Sequence, residues 1–182
     1  MDIEKLLENY IPADEREEKE REIMLSFLRS SADAFLRKNL TAHFTASSWI
    51  VNREKTKVLF CYHNLYDSWS WVGGHADGEK DLKKVALKEA EEETGIIPEK
   101  ICDDILSLEI LPVSGHMKKG EYVPSHLHYN LTFLITADEK APIRSKADEN
   151  SDVRWIYFSD IEKMSSEKWL TENVYKKILR KM

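Results

Sequence analysis

The sequence predicts an α+β fold, with a helical extension over residues 1–40 packed on a strand-rich main domain over residues 41–182. Three observations support this prediction. Apolar residues recur at helical spacing before residue 41 and alternate in short runs after it. One long helical stretch, residues 81–95, interrupts these runs, and a further helical pattern closes the chain at residues 173–182. At 182 residues, the chain is long enough for one domain with a proper core.

The N-terminal segment is expected to be helical. Ile3 and Leu7 belong to a repeat at helical spacing, which Pro12 interrupts. A second helix is expected from Ala13, and helical structure continues to about Asn39. Its charge run alternates in sign, which is typical of a solvated helix face. The apolar residues would pack on the main domain, but they would equally serve a homodimer interface, and the sequence leaves both open.

The main domain is expected to contain five strands, separated by polar turns. They are residues 46–51, 57–63, 105–113, 124–138 and 152–158, and a short helix follows at 159–164. The two runs before residue 64 form a pair joined by a polar turn, and the run at 124–138 alternates most clearly. The single long helix therefore lies in the middle of a largely β domain.

Three glutamates of the central helix are placed where local physics disfavours them. Glu89, Glu92 and Glu93 continue the apolar face of the helix, whereas Glu91 points roughly 200° away from Glu89. They lie near the helix C-terminus, where the macrodipole disfavours negative charge, and like charges at this spacing repel. A hard divalent cation, Mg²⁺ or Mn²⁺, would offset both effects. The alternative is a solvated charge run on a surface helix.

Glycine and tryptophan precede this helix. Gly73, Gly74 and Gly78 are expected in a turn where the backbone bends sharply and approaches a ligand. Asp81 is the expected N-cap, and Gly95 is the expected end of the helix.

Trp69, just before this turn, would either stack on a base or anchor the core, and the second role is the more common for tryptophan.

The stretch from Gly73 to Ile96 resembles the Nudix box, G-x5-E-x7-R-E-U-x-E-E-x-G-U, in which U is a bulky apolar residue. The residues on matching positions are Gly74, Glu89, Glu92, Glu93, Gly95 and Ile96. Three positions depart from the pattern, with Lys80 for the first glutamate, Lys88 for the arginine and Ala90 for the bulky residue. Lysine keeps the positive charge but loses the planar fork that holds a carboxylate. A pair between Lys88 and Glu79 or Asp77 would substitute for the ion pair of the family.

The resemblance implies an α/β/α sandwich around a mixed sheet. It also implies metal-assisted hydrolysis of a diphosphate linkage in a small-molecule nucleoside diphosphate derivative. Glu89, Glu92 and Glu93, with the Gly74 carbonyl, would hold Mg²⁺ or Mn²⁺. Catalysis would then depend on Glu92 as the general base, on Glu89, and on Lys88 as the residue that orients a carboxylate.

Glu149, in an acidic loop outside the box, is a second candidate for the base, unless that loop is simply solvated.

The histidines give a weaker signal. His126 and His128 share one face of a strand, where they would line a substrate cleft or lie on a partly exposed sheet face. Zinc would need a third ligand, which is not obvious nearby in the sequence. His75 follows Gly74 directly and would either reach the substrate phosphates or tie the loop together.

Composition narrows the function further. A formal net charge of −6 argues against nucleic-acid or anionic-membrane partners. Two cysteines are too few for a disulfide framework. No secretory signal and no run of about 18 apolar residues is evident, so the sequence predicts a cytoplasmic protein.

Three other functions stay open at this point. In the first, the chain is a non-catalytic, Nudix-like regulatory domain that binds ligand without turnover. In the second, it is an isomerase of the isopentenyl-diphosphate type, whose chemistry would need a cysteine near the site, and Cys61 is the cysteine close to the box. Finally, the helical extension would make it mainly an interaction module.

Overall fold

The computed structural model describes residues 2–64, 66–118, 120–146 and 150–182. The helices are α1 (Ile3–Asn9), α2 (Glu15–Ser30), α3 (Leu82–Thr94), α4 (Ile161–Met164), α5 (Lys168–Leu170) and α6 (Lys176–Lys181). The strands are β1 (Ala42–Asn52), β2 (Lys57–His63), β3 (Ser68–Ser70), β4 (Val72–His75), β5 (Lys100–Val113), β6 (His116–Lys118), β7 (Glu121–Val123), β8 (His126–Ala137) and β9 (Asn150–Tyr157). A 3₁₀ turn, Phe158–Asp160, precedes α4, and a π-helical segment, Thr171–Tyr175, joins α5 to α6.

Seven of these strands form one mixed sheet. The strand order is β3-β2-β1-β8-β5, with β4 paired to β1 and β9 paired to β2. Strands β1 and β8 run parallel along their whole length, from Ala42 opposite Leu127 to Asn52 opposite Ala137. Strands β6 and β7 form a separate hairpin. All five expected strands are present, and the short strands β3, β4, β6 and β7 are additional.

Alternation along β1 assigns the two faces of the sheet. Phe44 and Ala46 pack in the cluster that contains Val85 of α3. Trp49, on the other face, packs with Tyr175 of the C-terminal helical segment at 5.4 Å between ring centroids. Because helices cover both faces of a mixed sheet, the α+β fold and the α/β/α sandwich are confirmed.

The N-terminal helices are also present, and they pack on the main core. Leu7 of α1 and Met24 of α2 are fully buried in the cluster that contains Phe44 and Leu131. Helix α2 also contacts β5, the edge strand of the sheet, so it covers an edge that would otherwise be exposed. The division of the chain at residue 40 stays a prediction.

The helical structure expected up to Asn39 is wrong beyond Ser30. Helix α2 ends at Ser30, and residues 31–39 form consecutive turns. The Phe35 carbonyl accepts a hydrogen bond from the Gly78 amide at 2.9 Å instead of from a helical neighbour. Burial of Ala34 and Phe35 in the core fixes these turns in place.

A group of buried charges connects α2 to α6. We define the ionic junction as Tyr10, Glu17, Glu109, Lys177 and Lys181. The Lys177 ammonium lies 2.7 Å from Glu17 Oε1 and 3.0 Å from Glu109 Oε1, and all three side chains are at most 1% exposed. Lys181 Nζ lies 3.0 Å from Glu17 Oε2, and the Tyr10 hydroxyl donates to Glu17 Oε1 at 2.7 Å. Each of these carboxylates therefore has an internal counter-charge.

None of the helices in the described ranges combines the length and the apolar character needed to span a bilayer.

Candidate functional site

Helix α3 begins and ends where the sequence predicts. It starts directly after Asp81, and its C-terminus is closed by Gly95 in the left-handed conformation, with φ of 67°. The Gly95 amide donates to the Glu91 carbonyl at 2.9 Å. Glycine suits this position because a side chain at positive φ is strained.

The glycines before the helix act differently from the expectation. Gly73 and Gly74 belong to strand β4, not to a turn, and only Gly78 has a positive φ, of 95°. The role of Gly73 and Gly74 is to let neighbouring groups pack closely against the strand. A Cβ at Gly73 would come within 2.6 Å of Ser47 Oγ, and a Cβ at Gly74 within 2.7 Å of Glu89 Oε1. The Gly74 backbone and the Glu89 carboxylate are therefore in direct contact.

The three box glutamates differ in burial. The Glu89 side chain is 12% exposed, and Glu93 is buried. Glu92 is 43% exposed, so it lies at the margin of the inward face, and Glu91 is exposed as expected. Burial raises the pKa of Glu89, and the neighbouring Glu92 adds to this effect, while Lys88 opposes it.

Glu93 is fixed by a residue that the sequence reasoning missed. Asn150, fully buried at the start of β9, donates from Nδ2 to Glu93 Oε2 at 2.7 Å. An amide donor orients a carboxylate without neutralising it. Only the position of Asn150 next to Glu149 pointed to it, and Glu149 itself lies outside the described residues.

Lys88 stands among the box carboxylates. Its Nζ lies 3.5 Å from Glu89 Oε1 and 3.5 Å from Glu92 Oε1, with the side chain 63% exposed. The predicted pairing with Glu79 or Asp77 is wrong. Asp77 pairs with Arg37, and Glu79 accepts a hydrogen bond from the Asp81 amide at 2.8 Å. Lys88 thus provides one largely exposed positive charge beside two carboxylates.

The predicted substrate-contact histidines lie on a different face of the sheet from the box carboxylates, and their contact with a substrate stays a prediction. Gly74 pairs with Ala46 of β1, and His75 with Thr45, so their side-chain positions point to opposite faces of the sheet. Gly74 faces α3, and His75 faces the rings of His43 and His128. The structure therefore brings His75, His128 and His126 together, but on the face opposite the box carboxylates.

Trp69 lies on β3, where it is 8% exposed. Its ring contacts Tyr62 at 5.4 Å, and the Arg154 guanidinium lies 4.9 Å from its centre. These are the contacts of a core anchor at a sheet edge, and its role as a base-stacking residue stays a prediction.

Cys61 is fully buried behind the box helix. Its Sγ lies 4.0 Å from the Glu93 carbonyl oxygen. Burial raises the pKa of the thiol, and the charge of Glu93 raises it further. A buried, protonated thiol is inert, so Cys61 gives no support to the isomerase function.

Comparison with known proteins agrees with this geometry. The sequence profile of the NUDIX domain matches residues 41–181. The NUDIX domain of NrtR from Shewanella oneidensis, in complex with ADP ribose, has a similar structure, with a TM-score of 0.56, 15% identity, 85% of this chain covered and 96% of that chain. A MutT protein from Methanosarcina mazei has a TM-score of 0.56 and 15% identity, with 77% of this chain and 94% of that chain covered. An Ap4A hydrolase from C. elegans has a TM-score of 0.51 and 17% identity, with 76% of this chain and 93% of that chain covered.

A search of curated proteins finds no match. The profile match covers more than half of the chain, and the box residues, the sandwich fold and the structural neighbours agree with it. The chain therefore belongs to the Nudix family.

Proposed function

We propose that the protein is a metal-dependent hydrolase that cleaves a diphosphate linkage in a nucleoside diphosphate derivative. The observation that carries the proposal is the set of inward carboxylates at the C-terminal end of α3. Glu89 and Glu93 are shielded from water, while Lys88, at 63% exposure, is the cation paired with Glu89 and Glu92. Such an arrangement is unfavourable in isolation and becomes favourable when a divalent cation enters.

The donor set fits Mg²⁺ or Mn²⁺. Glu89, Glu92 and Glu93 offer carboxylate oxygens, and the Gly74 backbone, in contact with Glu89, offers a carbonyl. Hard oxygen donors of this kind suit these ions. When bound, the ion would neutralise the diphosphate and lower the pKa of a water molecule.

The side chains have separate tasks in this proposal. Glu92, the most exposed of the three, accepts the proton of the attacking water. Asn150 holds Glu93 in one orientation through the 2.7 Å hydrogen bond. Lys88 orients Glu89 and Glu92, from 3.5 Å in each case. Glu149 stays the second candidate for the base.

The substrate class rests on chemistry and on two neighbours. Three carboxylates do not grip an anion directly, so a diphosphate substrate needs the cation between them. The NrtR domain is in complex with ADP ribose, and the C. elegans protein is an Ap4A hydrolase. Both molecules contain phosphoanhydride bonds, so ADP ribose and dinucleoside polyphosphates are the first compounds to test.

The experiment is a screen of these compounds with Mg²⁺ and phosphate detection, followed by reaction in ¹⁸O-labelled water. We expect the label on a phosphoryl product and no turnover without the cation. In calorimetry, Glu92→Gln and Glu93→Gln should each weaken Mg²⁺ binding strongly. Glu91→Gln is the matched control, because Glu91 is exposed on another side of the same helix. Equal damage from Glu91→Gln would contradict the proposal.

A non-catalytic binding domain is the second candidate, favoured by the NrtR domain in complex with ADP ribose. In that case, ADP ribose would bind in a metal-dependent manner and be recovered intact. Recovery of a rearranged compound with an intact diphosphate would instead indicate an isomerase.

A further inference from the structure

Four of the six histidines meet at one end of the sheet. We define the histidine cluster as His43 on β1, His75 on β4, and His126 and His128 on β8. The parallel register of β1 and β8 places His43 opposite His128, with 5.0 Å between ring centroids. His75 lies 4.8 Å from His128, and His126 lies 5.0 Å from His43. Three strands distant in sequence thus contribute imidazoles to one place.

Backbone carbonyls fix the tautomers of two rings. His43 Nδ1 lies 3.1 Å from the Asn39 carbonyl oxygen, and His126 Nδ1 lies 2.8 Å from the Pro124 carbonyl oxygen. A carbonyl only accepts hydrogen bonds, so each Nδ1 carries the hydrogen and each Nε2 keeps a lone pair in the neutral ring. Metal-binding histidines are commonly oriented by this type of contact.

These lone pairs point into the cluster. His43 is 3% exposed, and its Nε2 is buried without a hydrogen-bond partner among the described residues. His126 Nε2 accepts a hydrogen bond from His128 Nε2 at 3.0 Å. His43 Nε2 is therefore the buried acceptor without a donor, which is unfavourable, so the arrangement calls for a positively charged ligand.

Two of the rings, His43 and His128, are also held in the protonation state that binds metal. Burial lowers the pKa of His128 to about 2, and the neighbouring His75 and His43 add to this effect. Burial likewise lowers the pKa of His43. Neutral imidazole is the form that coordinates metal, and neutral rings give an anion such as phosphate little attraction.

We propose that the histidine cluster is a binding site for a divalent transition-metal ion of the Zn²⁺ class. One ligand nitrogen each from His43, His75 and His128 lie within 4.8 Å of one another. His126 lies at their margin, and it would become a fourth donor if the ion replaced its hydrogen bond with His128. Imidazole nitrogen suits Zn²⁺, whereas Mg²⁺ prefers oxygen.

This site is separate from the proposed hydrolytic centre. His75 and Gly74 are neighbours in β4, but they face opposite sides of the sheet. The ion in the histidine cluster would connect β1, β4 and β8, and so hold the strand that carries Gly74. Its binding energy would add to the stability of the fold, since the unfolded chain holds no preformed site.

The experiment is a titration of the metal-free, full-length protein with Zn²⁺ in competition with a chromophoric chelator, without substrate. We expect one equivalent to bind, unaffected by millimolar Mg²⁺. His43→Gln and His128→Gln should each weaken binding by more than about 100-fold, beyond the effect of losing an outer-shell partner. His116→Gln, on the exposed β6–β7 hairpin, is the matched control and should bind normally.

Two further measurements protect the test from misfolded variants. His126→Gln changes only the half-buried margin of the cluster and should weaken Zn²⁺ binding while the circular dichroism spectrum stays native. In the wild-type protein, Zn²⁺ should raise the unfolding temperature, and Co²⁺ should give the visible spectrum of a nitrogen-rich site. Absence of Zn²⁺ binding, displacement by Mg²⁺, or equal binding by His128→Gln would overturn the proposal. Glu92→Gln should bind Zn²⁺ normally, so failure of the hydrolase proposal leaves this result independent.

Discussion

Two groups of glutamates in this protein experience opposite electrostatic surroundings. In the ionic junction, Glu17 and Glu109 lie 2.7 and 3.0 Å from the fully buried Lys177 ammonium. In the box, Glu89 and Glu92 lie 3.5 Å from Lys88, whose side chain is largely exposed. The first group is neutralised by the chain itself. The second is left with excess negative charge, so its carboxylates remain available to a cation from solution.

The pKa directions agree with this contrast. Burial alone would raise the pKa of Glu17, but the hydrogen bonds from Lys177 and from the Ala13 amide outweigh it and hold the pKa at about 2. Burial raises the pKa of Glu89, and the charges of Lys88 and Lys146 do not reverse the shift. Burial of a carboxylate therefore has opposite consequences, depending on whether a fixed cation is present.

The largest expected effect follows from neutralising one box glutamate. Glu92→Gln should lower kcat by about 10²- to 10⁴-fold, the usual contribution of a general base. Its stability should stay the same or rise by about 0.3–1 kcal/mol, because one unfavourable charge leaves the end of the helix. Steady-state kinetics with Mg²⁺ and urea denaturation measure both. A native rate would remove Glu92 from the mechanism.

Removing the central cation of the ionic junction should lower stability and leave the catalytic rate unchanged. Lys177→Met removes the ammonium that Glu17 and Glu109 share and leaves Glu109 buried without its counter-charge, so it should reduce the free energy of unfolding by about 3–5 kcal/mol. The kcat of the folded fraction should not change. The neighbouring Lys176→Met is the matched control. Lys176 is partly exposed and pairs with Glu172 four residues away, so its loss should reduce stability far less than the loss of Lys177. Equal effects of the two variants would refute the contrast.

The pH dependence of stability should also distinguish the two groups. The pKa of Glu17 is lowered from 4.5 to about 2, so its contribution is complete above pH 4.5 and is lost as the pH falls toward 2. Chemical denaturation between pH 2 and 6 should show this loss in the wild-type protein. In Glu17→Gln, the corresponding part of the slope should be absent. An unchanged slope would mean that Glu17 does not control acid stability.

The smallest expected effect is at Lys88. Lys88→Ala should lower kcat/KM by about tenfold, which is about 1.4 kcal/mol of transition-state stabilisation, because Glu89 and Glu92 lose an orienting partner. Lys88→Arg should match or exceed the wild-type rate, because the guanidinium fork holds a carboxylate more firmly. Wild-type kinetics in Lys88→Ala would show that the 3.5 Å contacts have no orienting role.

Sequence patterns predicted the elements better than their contacts. The alternation at residues 124–138 and the limits of α3 at Asp81 and Gly95 are local signals, and both are confirmed. The role of Gly73 in close packing depends on Ser47, which a pattern does not reveal. Likewise, the pairing of Lys88 with Asp77, which was predicted from their proximity in the sequence, is wrong, because Asp77 forms an ion pair with Arg37.

Long-range pairings explain the remaining gaps. A third histidine beside His126 and His128 is not evident from the sequence, because His43 reaches them only through the parallel pairing of β1 with β8. The burial of Glu17 is likewise not evident from the sequence, because Glu17 belongs to a charge run that is typical of a solvated helix face. Its burial depends on two lysines near the other end of the chain.

The ionic junction also has a consequence for the order of folding. Glu17 and Lys181 are 164 residues apart in the chain. At a synthesis rate of about 5–20 residues per second, roughly 8–33 s pass between the synthesis of Glu17 and that of Lys181. Until then, docking of α2 would bury an uncompensated carboxylate, which is strongly unfavourable. We therefore expect the nascent chain to assemble its sheet first and to dock α2 only after Lys181 has left the ribosome.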